Sequence, residues 1–175
     1  MRRFALLLLL VPLLSVLPVH AASWKAFHSR QLAFSLRYPP GWHVSESYVP
    51  GNRQVVFGYQ GRSNYSLTVQ LLPVHPARSI GQTLRRVMTY ERSTGQVLVS
   101  GKGWKSAAIG RYPAMVAVTK PPTEGGVSVA QAIYVTQSRK HVYTIVDVAY
   151  AQHAPSSPHN FPSVYRQMLS SLRFQ

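Results

Sequence analysis

The chain has 175 residues, 46% of them hydrophobic, with 19 Lys and Arg against 4 Asp and Glu, a formal charge of +15 and no cysteine. That length and apolar content suit one ordinary domain with a real core and exclude wholesale disorder. The missing thiol excludes disulfides, a cysteine nucleophile, cysteine-ligated zinc and lipobox acylation, and so few acids leave little for paired-carboxylate catalysis.

Met1-Arg2-Arg3 followed by the leucine-dominated run Phe4 to Leu17 has the charge and length of a signal peptide, too short to span a bilayer. Val19-His20-Ala21 offers small residues where cleavage needs them, so residues 1–21 are expected to be removed, with Ala22 as the neighbouring option. An uncleaved anchor is the competing reading. Residues 22–175 then form a single domain.

Alternation predicts strands at Lys25 to His28 and Leu32 to Tyr38, then at Trp42 to Ser47, Gln54 to Gln60 and Tyr65 to Val74. The period then changes: Ile80, Leu84, Val87 and Met88 share one helical face, so Ser79 to Ser93 is a helix, with Ser79 as N-cap, Gln82 completing a capping box and Gly95 as stop. Strands resume at Val97 to Gly101, Trp104 to Ile109, Ala114 to Lys120, Val127 to Gln137 and His141 to Ala151. A polar loop, Gln152 to His159, leads to a second helix capped by Asn160, with Pro162 in its first turn. Its stripe of Phe161, Val164, Tyr165, Met168, Leu169 and Leu172 is expected to cover the sheet.

The string Phe34-Ser35-Leu36-Arg37-Tyr38-Pro39-Pro40-Gly41-Trp42, the turn Ile109 to Ala114 and the ending Met168 to Phe174 resemble, in that order, motifs of the PsbP-like superfamily (PsbP, Mog and DcrB-like envelope proteins). The motifs are structural, with Trp42 and Phe174 as core residues, and they bring no catalytic residues. The resemblance implies an α+β fold, a central antiparallel sheet flanked by helices as an α/β/α sandwich, and non-enzymatic binding or assembly roles.

Six histidines lie beyond the signal: His28, His43, His75, His141, His153 and His159; only the last two are close in sequence, in a Pro-broken loop, so no metal site is expected. There is no G-x-S-x-G elbow and no phosphate-loop spacing. Asp147, the only Asp, falls mid-strand on the face of Tyr143, Ile145 and Ala149. A carboxylate there is either paired with a nearby Arg or lines a cleft with a shifted pKa; the ion pair is the preferred reading.

Basic residues are scattered over many elements, and no nucleic-acid-binding signature appears, so nucleic acid is not an expected partner. The turn-borne cations Lys102, Lys105, Arg139 and Lys140 are the expected binding residues for an anionic partner, although a cationic surface that merely suits the milieu is the competing account. The resulting expectation is an exported periplasmic, non-enzymatic accessory protein that binds another envelope protein or an anionic envelope component, without cofactor. The alternative is a small-molecule or metal-binding protein, or an enzyme, with a pocket that collects Asp147 and His141, His43 or His153.

Overall fold

The computed structural model describes residues 23–59, 65–94, 103–119, 128–151 and 161–175. The signal segment, the expected strand Val97 to Gly101, Lys102, His153, His159 and the Asn160 cap lie outside these residues.

The elements run β1 (Lys25–Ser29), β2 (Phe34–Tyr38), β3 (His43–Val49), β4 (Asn52–Tyr59), β5 (Tyr65–Leu72), α1 (Ile80–Thr94), β6 (Lys105–Ile109), β7 (Tyr112–Thr119), β8 (Ser128–Gln137), β9 (Val142–Ala151), α2 (Ser163–Ser171) and β10 (Arg173–Phe174). Seven strands form one antiparallel sheet in the order β3-β4-β5-β9-β8-β7-β6, and β1-β2-β10 form a second, three-stranded sheet.

Side chains of period two sort onto the two faces of the large sheet. Phe57, Leu67, Val69, Tyr134, Tyr143 and Ile145 enter one core with Phe34, Leu36, Tyr165, Met168, Leu172 and Phe174, contributed by the small sheet and α2. Leu72, Val135 and Val142 face the other way, against Leu84 and Val87 of α1. A one-residue slip of β9 would exchange these two sets, so the buried pattern pins its register on both sides. The expected antiparallel sheet with two helices is present. The layer on the α2 side, however, is as much sheet as helix, because the chain's last residues extend instead of continuing α2: Leu172 turns to φ −63°, ψ 133°, and Phe174 pairs with Phe34.

Caps and turns follow local chemistry. The Ser79 hydroxyl accepts the Gln82 N–H at 3.3 Å, as an N-cap does, but among the described residues the Gln82 side chain makes no return bond to complete the box. α2 instead begins after Pro162, without a side-chain cap bond, and Pro162 fits because its missing N–H would have had no helical partner. Between β6 and β7, Gly110 sits at φ +56° in a tight turn, a conformation glycine takes without cost. Ala33, at φ +52°, takes the same left-handed region with a side chain in place. Ala33→Gly is therefore expected to raise stability by about 1 kcal/mol, read as a higher denaturant midpoint with an unchanged slope.

Candidate functional site

Asp147 is completely buried and both its carboxylate oxygens lack a hydrogen-bond partner. Its cross-strand neighbours are Leu67 on β5 and Ala132 on β8, neither of which can donate. The expected ion pair with arginine is overturned: among the described residues no side chain bonds to either carboxylate oxygen of Asp147, which sits mid-sheet under α2. Burial pushes its carboxyl well above the ordinary carboxylate range. Tyr134 and Tyr165 feel it too; both phenols are raised, first by burial and second by a charge on Asp147. The Tyr165 hydroxyl donates to the Val148 carbonyl and Tyr143 donates to Leu32 at 2.9 Å, so neither phenol is spent on the carboxyl.

The described histidines do not join it. His43 opens β3 on the exposed surface, and His141 lies in a cleft with His75, packed edge-on to Tyr143 at 6.2 Å. Among the described residues no group of three or more His, Asp or Glu side chains could hold a metal ion.

The basic side chains are arranged with more order than their scatter in sequence suggests. One cleft, of about 830 Å³, runs beside α1 and is lined by Arg78, Arg85, Arg86, Thr89 and Tyr90. It shares Pro73 and Val74 with a second cleft lined by Arg53, His75, Lys140 and His141. That cleft shares Lys140 with a third, lined by Arg111, Tyr112, Arg139 and Gln175. The three form one belt around the end of the large sheet where β4 starts, β5 and β8 end, and β9 begins. Among the described residues no Asp or Glu lines any of them.

Carbonyls take the place that carboxylates usually have for several arginines. Arg53 donates to Gln31 O at 2.9 Å, Arg86 to Pro76 O at 2.9 Å and His75 O at 3.1 Å, and Arg173 to Ser170 O at 2.9 Å. These bonds hold the guanidinium groups in place without neutralising them, so the belt keeps its positive potential.

Of the four expected binding residues, Arg139 and Lys140 lie together in the belt, on the turn between β8 and β9. Lys105 does not join them. It opens β6 level with Val116 and Tyr134, lower on the sheet, and lines a separate groove with Arg166. Lys102 falls outside the described residues. Sequence reasoning missed Arg53, Arg78 and Arg111 as companions of Arg139 because strand order, not spacing, brings them to one end.

The chain matches no protein-family model and no curated protein sequence. It is similar in structure to a protein of Bacteroides thetaiotaomicron VPI-5482 (TM-score 0.58, 14% identity), over 86% of this chain but only 48% of the other, about half its length. It is also similar to a mutant of protein Mog1 (TM-score 0.56, 12% identity, 87% of this chain and 96% of that one). A third likeness is to cyanobacterial PsbP (CyanoP) from Synechocystis sp. PCC 6803, with TM-score 0.54, 17% identity and coverage of 94% and 100%. The chain thus has a PsbP/Mog-like fold, as its motifs implied, and at these identities the likeness speaks of fold alone.

Proposed function

We propose, from the PsbP/Mog-like fold as premise, that this is an exported, non-enzymatic accessory protein of the cell envelope that binds an acidic partner protein through the belt at the end of its large sheet. The carrying observation is the continuity of that belt: three clefts joined by shared residues, each cationic and none with an acid among the described residues. The signal-like first segment supports export. Among the described residues, no helix is long and apolar enough to cross a membrane. The fold supports the finer architectural reading as well, an α/β/α sandwich in which α1 is one outer layer and α2, with the small sheet, the other. The uncompensated charge favours an acidic surface, and concave clefts favour side chains that reach in over a flat lipid headgroup plane.

The test is association of the mature protein with poly-L-glutamate and, separately, with phosphatidylglycerol vesicles. Raising salt from about 0.01 M to about 1 M shrinks the Debye length from about 30 Å to about 3 Å, so polyglutamate binding should collapse over that range. Arg85→Glu with Arg139→Glu and Lys140→Glu should weaken it about tenfold at low salt with little change in melting. Lys105→Glu, a reversal away from the belt, should leave it nearly unchanged. Equal losses from both reversals would mean a diffuse field and no site; tighter binding to the vesicles than to polyglutamate would assign the belt to lipid.

A further inference from the structure

We propose that β6 and α2 frame a second binding site, separate from the belt, which takes an extended segment of a partner protein by strand addition and selects an acidic side chain on it. Among the described residues β6 is the last strand of the large sheet, paired with β7 on one side only. Beside it runs a groove of about 430 Å³ lined by Lys105, Ser106, Ala107 and Ala108 in unbroken succession. Successive side chains of a strand point to opposite faces, so four consecutive residues line one groove only where it runs along the backbone edge. There, among the described residues, the edge N–H and C=O groups have no strand partner, a template for another chain.

The groove is open because its walls are small. Ser106, Ala107, Ala108, Gly110 and Ser170 leave room that longer side chains would fill. Val116, Leu169 and the buried Tyr134 supply an apolar floor. Lys105 stands exposed on the rim, with Arg166 on the α2 side, and no carboxylate lines the groove among the described residues. An added strand would place alternate side chains over this floor and bring an acid to Lys105, while backbone bonds to β6 supply affinity that does not depend on side chains. A second copy of the chain is the poorer occupant. It carries a formal charge of +15 and would bring a like-charged edge against this one.

The probes are the capped peptide acetyl-Ser-Val-Glu-Val-Ser-Val-amide, its counterpart with Lys for Glu, and two forms of the acidic peptide N-methylated at alternate residues. Titrated into the isotope-labelled mature protein, the acidic peptide should shift the amide resonances of Lys105 to Ala108, Leu169 and Ser170. The Lys peptide should bind about fivefold more weakly, the upper end for one exposed ion pair, and Lys105→Glu should reverse that preference. One N-methylated form should lose binding, since it removes the N–H groups that face β6, and the other should keep it. The triple belt reversal should leave all of this unchanged, so this site and the belt can fail separately. Shifts confined to the belt, equal binding of acidic and Lys peptides, survival of binding in both N-methylated forms, or dimerisation through β6 would each overturn the proposal.

Discussion

Asp147→Asn is expected to leave stability near that of the wild type at pH 4 and to raise it increasingly as pH increases toward neutrality. The carboxyl is fully buried, both oxygens are unpaired, and burial holds its pKa well above the ordinary 3.8. Above about pH 4 the unfolded chain releases a proton that the folded chain retains, so unfolding becomes coupled to proton release and rising pH favours it. In that window the wild type loses about 1.4 kcal/mol per pH unit until the folded carboxyl itself ionises. Asparagine has nearly the same shape and no proton to lose, so its stability should be flat where this group alone is concerned. The groups facing Asp147 are the phenols of Tyr134 on β8 and Tyr165 on α2, themselves held neutral in this range. For a domain of this size each kcal/mol moves the melting temperature by about 2–4 °C, a shift that calorimetry at a series of pH values resolves. The ion pair suggested by the sequence predicts the opposite, a loss of about 3–5 kcal/mol on breaking a buried pair. An Asn variant that melts below the wild type at pH 7.5 would therefore restore a charged partner for Asp147.

That reversal marks the boundary of what one-dimensional reading reaches. Alternation along Val142 to Tyr150 correctly put Asp147 on the face of Tyr143 and Ile145, because side-chain direction in a strand is a local property. What stands opposite Asp147 is not local. Leu67 and Ala132 meet it through strand order, and a chain rich in arginine made a pair seem natural when the residues paired with Asp147 across the sheet are aliphatic. The N-terminal serine of α1 was legible for the same reason as the alternation, since capping acts over three residues. β10 was not: two residues carry no periodic signal, and their strand character comes from the partner β2, far earlier in the chain.

The candidate site divides in the same way. Arg139 and Lys140 were recognisable as exposed charge on a hairpin turn. Their grouping with Lys105 was not sustained, because turn-borne charges belong together only if their turns lie at one end of the sheet. Arg111 does meet that condition, since the β6–β7 and β8–β9 turns are side by side, and it joins the Arg139 cleft. The chain's scarcity of acids, evident from composition, has a consequence visible only in three dimensions. Arginines such as Arg53 and Arg86 are anchored by carbonyls and stay electrostatically uncompensated, which gives the belt both fixed geometry and field.

Phe174→Ala should be the most damaging single truncation near the belt, costing about 3–5 kcal/mol and lowering the melting temperature by roughly 10 °C. The Phe174 ring stacks on Tyr143 with centroids 4.2 Å apart and planes at 14°, and meets Tyr112 edge-on at 4.7 Å. Its backbone is held as tightly as its ring. The Tyr112 hydroxyl accepts the Phe174 N–H at 3.1 Å and donates to its carbonyl at 3.3 Å, and the next residue, Gln175, donates its N–H to Ala33 O at 2.9 Å. Removing the ring leaves Tyr143 beside a cavity at the edge of the core, where it meets the cleft, and frees Tyr112, which carries the Arg111 guanidinium 5.4 Å above its ring. The loss should therefore reach function: Tyr112, Phe174 and Gln175 form a wall of the Arg139–Lys140 cleft, and polyglutamate binding at low salt should weaken even at temperatures where the variant is fully folded. Phe174→Leu, which refills much of the space but cannot stack, should recover most of the melting temperature and the cleft with it. If Phe174→Ala melts within about 2 °C of the wild type, the last strand is dispensable to the core and the cleft wall is held by Tyr112 alone.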